Sequence, residues 1–315
     1  MPLVTVIIPT YNRAPLLPRA IRSILAQTHR PIELLVVDDA SVDDTEAVVR
    51  GFGEPWITYI RHSRNQGQCA AINTGIRAAK GEFVCFLDSD DEWRPEMIGK
   101  PLEVFARHDE RMGVVYTHAG AHCPDGSLAP SHVSRLEGRI YREALAQGHV
   151  AHSIAMLVRR TCFDRIGLFD TQFSCVQDDD IGFRLSKEYE YGLVPEMLAV
   201  IHVTATDRLT ARPRKYAVDW QNLLNKHGAE MLRECGPVVF AKHNFRGGLL
   251  FLEAGDRRSA LSFFSRAFRL SPSVKALGGI FVSVAPFPSF WMALFRSRPG
   301  ARPRAAARPV EVDLH

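Results

Sequence analysis

The stretch GEFVCFLDSDDEWRP (residues 81–95) is an apolar run that stops abruptly on Asp88, Ser89, Asp90 and Asp91. Phe83–Leu87 favours a strand, and its lack of alternation suits one buried on both faces of a parallel sheet. The carboxylates then fall at the strand's C-terminal end, the edge where open α/β sheets place their ligands. Like charges this close repel and raise one another's pKa unless a cation compensates them. A hard divalent ion with oxygen ligands is the natural compensator, and such ions often carry phosphates on their open positions. A solvated acidic turn is the bland alternative, and the flanking segments weigh against it.

Upstream, Leu3–Ile8 reads as a first strand ending at Pro9. Leu17, Ala20, Ile21, Ile24 and Leu25 then repeat at helical spacing, with Arg13, Arg19 and Arg22 off that stripe. Ile32–Val37 is a second strand, and Ser41 or Asp43 can cap a helix over 44–50. Ile57–Arg61 is a third strand, Gln68–Ala79 a helix, Glu82–Leu87 the fourth strand, and Val114–His118 continues the series. The alternation predicts an α/β fold with a mostly parallel, doubly wound sheet and helices on both faces. The signal weakens over residues 125–149, which we assign to shaping the substrate site. Helical character returns at Tyr216–Arg233 and dominates Val238–Leu270.

Three loops fall on the same sheet edge. Pro9-Thr10-Tyr11-Asn12-Arg13 follows the first strand, with backbone N–H groups facing the ligand and Tyr11 offering a flat surface for a base. Asp38-Asp39-Ala40-Ser41 follows the second, and a carboxylate there can accept from a ring N–H or a ribose hydroxyl. Helix capping explains Ser41 and Asp43 without Asp39. The acidic run at 88–91 is the third, and three loops of matching chemistry arise by chance far less readily than one.

In order and spacing, VIIPTYNR (6–13), VVDDASVDDT (36–45), NQGQCAAINTGIRAAKGEFVCFLDSDDEW (65–93), GLFD (167–170) and VQDDDIGFRL (176–185) resemble the inverting, nucleotide-sugar-dependent glycosyltransferases of family 2, whose fold is GT-A. The resemblance covers roughly the first two hundred residues. It implies that Thr10, Tyr11 and Asp39 hold uracil or another base, with Pro9, Asn12, Arg13, Asn65, Gly67, Asn73 and Ser89 also lining the nucleotide. It implies that Asp88 contacts the ribose or the metal, and that Asp90 binds a Mn²⁺ or Mg²⁺ bridging the diphosphate. The donor is expected to be a UDP-sugar. One position departs from the family: many members carry Arg where this chain has Ile72, which leaves Arg64 or Lys80 as candidates for its phosphate or ribose contact.

A second acidic run, Gln177-Asp178-Asp179-Asp180, opens an amphipathic helix. Aspartates in a first helical turn complement the helix dipole without any further role. The family pattern assigns the general base to Asp178, and an acceptor hydroxyl needs a positioned carboxylate to take its proton. Asp180 is expected to orient the loop or touch the acceptor. Among histidines, His118 and His122 straddle a strand end and Gly120, so helical metal spacing does not apply to them. His152 and His202 lie near strands bordering the acceptor, and His202 is a candidate for a diphosphate or metal contact. Trp93 is expected to pack beneath the metal loop.

The remaining features set class and location. The chain has 315 residues, 46% of them hydrophobic, and a mean hydropathy of −0.08, as expected for a soluble globular protein. No apolar stretch reaches about 18 uncharged residues, and no secretory signal is visible. Six cysteines without CxxC spacing fit reduced thiols better than a disulfide framework or zinc site. The net charge of +4 is concentrated in a tail carrying Arg296, Arg298, Arg302, Arg304 and Arg308. Gly248, Phe251, Gly255, Ala260, Phe264, Ala267 and Pro272 match a single tetratricopeptide-like helix pair. Ile280–Phe295 is apolar and aromatic but interrupted by Pro286 and Pro288. Beside arginines it suits an anionic membrane surface as well as a segment folded back on the body.

The expected organisation is a catalytic domain over 1–205, with a nucleotide-binding half (1–118) and an acceptor half (119–205). A helical extension (206–273) and the tail (274–315) follow. The expected acceptor is a glycan or lipid-linked sugar of cell-envelope polysaccharide biosynthesis, at the cytoplasmic face of the plasma membrane. Nucleic acid is not an expected partner. A nucleotidyltransferase also uses a metal–phosphate site but has no need of the second acidic run. A silent nucleotide-sugar-binding scaffold has no need of intact Asp90 and Asp178.

Overall fold

The computed structural model describes residues 1–122, 127–202 and 213–284. The tail arginines, Phe287, Phe290, Trp291, Phe295 and Cys123 lie outside the described residues. Strands β1 (Val4–Thr10), β2 (Ile32–Asp38), β3 (Ile57–Arg61) and β4 (Phe83–Phe86) run parallel in the order β3-β2-β1-β4. Helices α1 (Leu17–Leu25), α2 (Thr45–Arg50) and α3 (Gln68–Ala78) make the crossovers. Side chains of β1 alternate between two cores. Val4, Val6 and Ile8 meet Leu17, Ala20, Ile21 and Ile24 of α1, whereas Ile7 meets Ile72 and Ile76 of α3 on the opposite face.

Beyond β4 the sheet changes character. Next come β5 (Glu92–Trp93), α4 (Gly99–Phe105), β6 (Met112–His122), β7 (Leu128–His132), α5 (Tyr141–Gln147), a 3₁₀ turn (Ser153–Ala155), β8 (Met156–Arg159), α6 (Cys162–Ile166), α7 (Gln177–Glu188) and β9 (Glu190–Ile201). β6 was expected to extend the parallel series, but it does not touch β4. β8 lies between them, antiparallel to both, with Val158 paired to Val84 on one side and Val114 on the other. Its Met156-Leu157-Val158 is as apolar as β4, so it tolerates burial on both faces. β9 is parallel to β6, and β5 closes the far edge antiparallel to β9.

Helix α8 (Pro213–Glu253) breaks at Gly236, whose φ of 80° and ψ of 176° are followed by Pro237. α9 (Arg257–Leu270) and α10 (Val274–Val284) pack on its second limb. Within 238–270 the chain turns at Gly255, and the Asp256 carboxylate accepts from the Ser259 N–H at the start of α9. A Cβ at Gly248 or Gly279 would lie 2.6 Å or 2.5 Å from the Phe264 ring, so two glycines grip one phenyl group. No helix among the described residues is long and apolar enough to cross a membrane. The five described cysteines are free, and burial pushes the Cys69 and Cys162 thiols up to about 12.

Candidate active site

The C-terminal ends of β1, β2 and β4 gather the predicted loops on one edge. Pro9 and Thr10 close β1, and the Thr10 carbonyl accepts from the Asp39 N–H at 2.9 Å. The Thr10 hydroxyl is buried and has no hydrogen-bond partner among the described residues, which leaves it for a ligand. Tyr11 is 45% exposed, as a stacking surface must be. Asn12 takes a positive φ of 52° and cross-links the first two loops: its N–H donates to Ser41 Oγ, and its Oδ1 accepts from the Val42 N–H, both at 2.8 Å. Arg13 starts the turn into α1 by offering its carbonyl to Leu16 and Leu17.

Asp39 is buried and accepts from His62 Nδ1 (2.7 Å), the Gln66 N–H (2.9 Å) and the Gly67 N–H (2.7 Å). It therefore shapes the loop that carries exposed Asn65 into α3. A nucleobase N–H would be one more donor on a carboxylate with about four acceptor positions. Gly67 has φ +91°, a conformation that needs glycine although a Cβ there would meet nothing. Asn73 faces inward, with Nδ2 donating to the Phe169 carbonyl (2.8 Å) and Oδ1 accepting from the Phe169 N–H (2.9 Å). It ties α3 to the Gly167–Asp170 turn and holds that turn in place. Ile72 is 1% exposed in the core, so an arginine side chain would not fit there unchanged. Lys80 pairs with Glu33 near the start of β2, the opposite sheet edge, which removes it as a phosphate contact.

Asp88, Asp90 and Asp91 place ligand oxygens within 4.8 Å of one another, with Ser89 buried between them. Gln68 Nε2 holds Asp88 Oδ1 at 2.7 Å, and Arg19 on α1 donates to the Asp90 carbonyl. An all-oxygen donor set of this kind fits Mg²⁺ or Mn²⁺. His202 does not join it. Its backbone N–H donates to Asp91 Oδ1 (2.9 Å), while its ring forms a second group of possible ligands with Glu92 and His122, likewise within 4.8 Å. His122 is thus nearer to ligand chemistry than its sequence setting suggests, whereas His118 bonds the Ser134 carbonyl. Trp93 is buried and donates from Nε1 to the Ile154 carbonyl (2.8 Å), joining the acidic loop to the 3₁₀ turn.

The second acidic run opens α7. Asp180 is 1% exposed and accepts from Arg184, Lys226 and His227, the last at 2.8 Å. Burial pushes its carboxyl up, but His227, Arg184 and Lys226 more than offset this and hold it far below the usual carboxylate range. It orients α7 against α8. Its oxygens are taken by three cationic or imidazole groups, which rules against the expected contact with an acceptor. Asp179 accepts from His149 Nδ1 at 2.7 Å. Asp178 differs: Oδ1 is buried with no hydrogen-bond partner among the described residues, and Oδ2 lies 3.9 Å from His152 Nδ1. Burial raises its pKa, but His152, His149 and Ser153 together bring it below the ordinary value. Gln68 and Cys69, adjacent at the start of α3, link the two acidic runs: Gln68 bonds Asp88, and Cys69 sits in the field of Asp178.

His62, Gln68 and Arg19 were missed in the sequence. Only His62 carried a signal, standing directly after β3 at the ligand edge. Residues 5–167 match glycosyl transferase family 2. The chain belongs to that family. A glycosyl transferase of Escherichia coli (strain K12), whose name ties it to colanic acid biosynthesis, is 31% identical over 69% of this chain and 78% of its own length. A glycosyltransferase of Rickettsia prowazekii (strain Madrid E) is 27% identical over 90% of this chain and 89% of its own. Among solved structures, a Pyrobaculum calidifontis mannosyltransferase in complex with GDP-Man and Mn²⁺ superposes with a TM-score of 0.58 at 20% identity, covering 93% of this chain and 84% of that one. S. aureus TarS with UDP-GlcNAc gives 0.56 at 16% identity, over 92% and 83%. The family 2 chain therefore has the GT-A fold and is a glycosyltransferase.

Proposed function

We propose that this glycosyltransferase moves a sugar from a nucleotide-diphosphate donor to a hydroxyl of a glycan or lipid-linked acceptor, with inversion at the anomeric carbon. The observation that carries the reading is the unpartnered, buried Asp178 Oδ1, on a carboxyl held ionised by its neighbours. A general base needs such an oxygen: anionic at working pH and not committed to a donor of the protein itself. Asp178 takes the proton of the acceptor hydroxyl, which attacks from the face opposite the departing nucleotide. Tyr11 stacks on the base, and the Thr10 hydroxyl and Asp39 hold its edge. Asp88, Asp90 and Asp91 would hold a divalent cation, whose Lewis acidity offsets the charge developing on the diphosphate. Arg19, whose guanidinium donates to the Asp90 carbonyl, would set positive charge beside the acidic loop.

A nucleotide-sugar donor is supported by the GDP-Man and UDP-GlcNAc held by the two solved relatives. We assign a base with a ring N–H, uracil being the expected one, because Asp39 can accept that proton and its backbone bonds Thr10 beside Tyr11. A role in polysaccharide synthesis is supported by the colanic acid relative and by a succinoglycan biosynthesis protein of Rhizobium meliloti (strain 1021), 42% identical over 33% of this chain and 30% of its own length. The test is a donor panel with Mn²⁺ or Mg²⁺, product anomers being read by NMR. Asp178→Asn should keep donor binding and lose about 10²–10⁴ in turnover. Asp90→Asn should lose metal-dependent donor binding. Near wild-type turnover in Asp178→Asn, or a retained anomeric configuration, would sink the reading. Equal binding of UDP and GDP would remove only the uridine assignment.

A further inference from the structure

Asp178 can act as a base only if its carboxylate is held with one oxygen toward the acceptor, and no side chain on α7 does this. The segment before β8 does. His152 caps the 3₁₀ turn, with its carbonyl accepting from the Ala155 N–H at 2.9 Å, and that turn is pinned to the acidic loop by the Trp93–Ile154 hydrogen bond. Its Nδ1 points at Asp178 Oδ2 from 3.9 Å, and its Nε2 lies 3.3 Å from Ser131 Oγ on β7. The two contacts are chemically consistent. A hydroxyl donating to Nε2 leaves the proton on Nδ1, facing the carboxylate across 3.9 Å, so a neutral imidazole suffices to set a positive ring edge beside it. His149 lies against the same ring, 4.8 Å between centroids, and its own Nδ1 is committed to Asp179.

We propose that His152 is the positioning residue of the catalytic base: the Ser131–His152–Asp178 line borders Asp178 on its Oδ2 side and leaves Oδ1 without a protein donor, for the acceptor hydroxyl. This rests on the assignment of Asp178 made above. Among the other groups facing the pair are Ser153 and His149 in the same segment, Asp179 on α7 and Cys69 from α3, with Arg246 of α8 behind His149. Burial keeps His152 below the ordinary imidazole value despite Asp178, consistent with a neutral donor. A donor to the ionised carboxylate favours that form, so its removal raises the pKa of the base. The position of the acid limb is therefore the diagnostic readout, because a residue that only packed would leave it unmoved.

The experiment is the pH dependence of kcat/KM in the full chain, for wild type, His152→Phe, His152→Asn, Ser131→Ala and Asp178→Asn. His152→Phe should lose about 10-fold in kcat, with donor KM little changed and the acid limb moved up by roughly one pH unit. His152→Asn sets an amide donor near the Nδ1 position and should return the limb toward wild type. Ser131→Ala frees the tautomer and should move the limb upward by less, which serves as the test if His152→Phe does not fold. An acid limb superposed on wild type in His152→Phe, or in Ser131→Ala where that is the test, overturns the proposal. An active Asp178→Asn enzyme instead overturns the base assignment beneath it, so the two failures are distinct.

Discussion

Asp180 shows how one residue carries charge without doing chemistry. Its carboxylate joins Arg184 of its own helix to Lys226 and His227 of α8. Because its folded pKa lies below the ordinary aspartate value of 3.8, it contributes stability that is fully present above about that pH. That contribution is lost as pH falls through the folded pKa. Asp180→Asn should therefore destabilise by about 3 kcal/mol at neutral pH, toward the low end for a broken buried pair because Lys226 keeps Asp170. Denaturant unfolding across pH should show the gap to wild type narrowing below pH 3.8; a gap constant down to strong acid would contradict this. Asp39→Ala should cost about 1–3 kcal/mol by stranding the Gln66 and Gly67 N–H groups, and should weaken donor binding in calorimetry. Unchanged affinity would place the base elsewhere. Asp90 and Asp178 were legible in the sequence because each ends or follows a strong pattern. Their supports were not: Gln68 lies 20 residues from Asp88 and Arg19 lies 71 from Asp90, and each residue type alone has many ordinary uses.

Among the elements, the grip on Phe264 is the most exposed to a single methyl group. Gly248→Ala puts a Cβ against a ring that is fully buried and held from the other side by Gly279, so it should cost about 1–3 kcal/mol by overpacking. Thermal or denaturant unfolding reads this directly, and an unchanged midpoint would show that α9 can shift. Gly236→Ala imposes a side chain on a φ of 80° and should also destabilise, by about 1 kcal/mol, with little change in the buried core. The helices were readable because their stripes are long: Leu17, Ala20, Ile21 and Ile24 are all fully buried. The place of β8 was not. A four-residue apolar strand has the same pattern whether it runs parallel or antiparallel, and nothing local in Met156-Leu157-Val158 says which edge it fills.

For the whole molecule, α10 presents Val274, Leu277, Phe281 and Val284 on one exposed face, immediately before the aromatic and arginine-rich sequence. Docking on an anionic leaflet would use both. Each arginine contributes about 1 kcal/mol near the surface, fading over a Debye length of ~8 Å at physiological salt, while apolar insertion resists salt. Full-length protein should float with anionic vesicles at low salt, and Leu277→Glu should remove the salt-resistant fraction. Wild-type protein left wholly unbound at low salt would end the membrane reading.

The antiparallel insertion of β8 also bears on how the chain emerges from the ribosome. β1 to β4 are synthesised first, yet β4 lacks its native edge partner until Met156–Arg159 has left the exit tunnel, because β6 joins the sheet through β8. Throughout that interval, nascent chains carry an apolar strand edge open to pairing with a neighbour on the same message. The nucleotide-side strands thus cannot complete their sheet ahead of the acceptor side, and translation pauses before residue 159 should favour aggregation over a soluble half-enzyme.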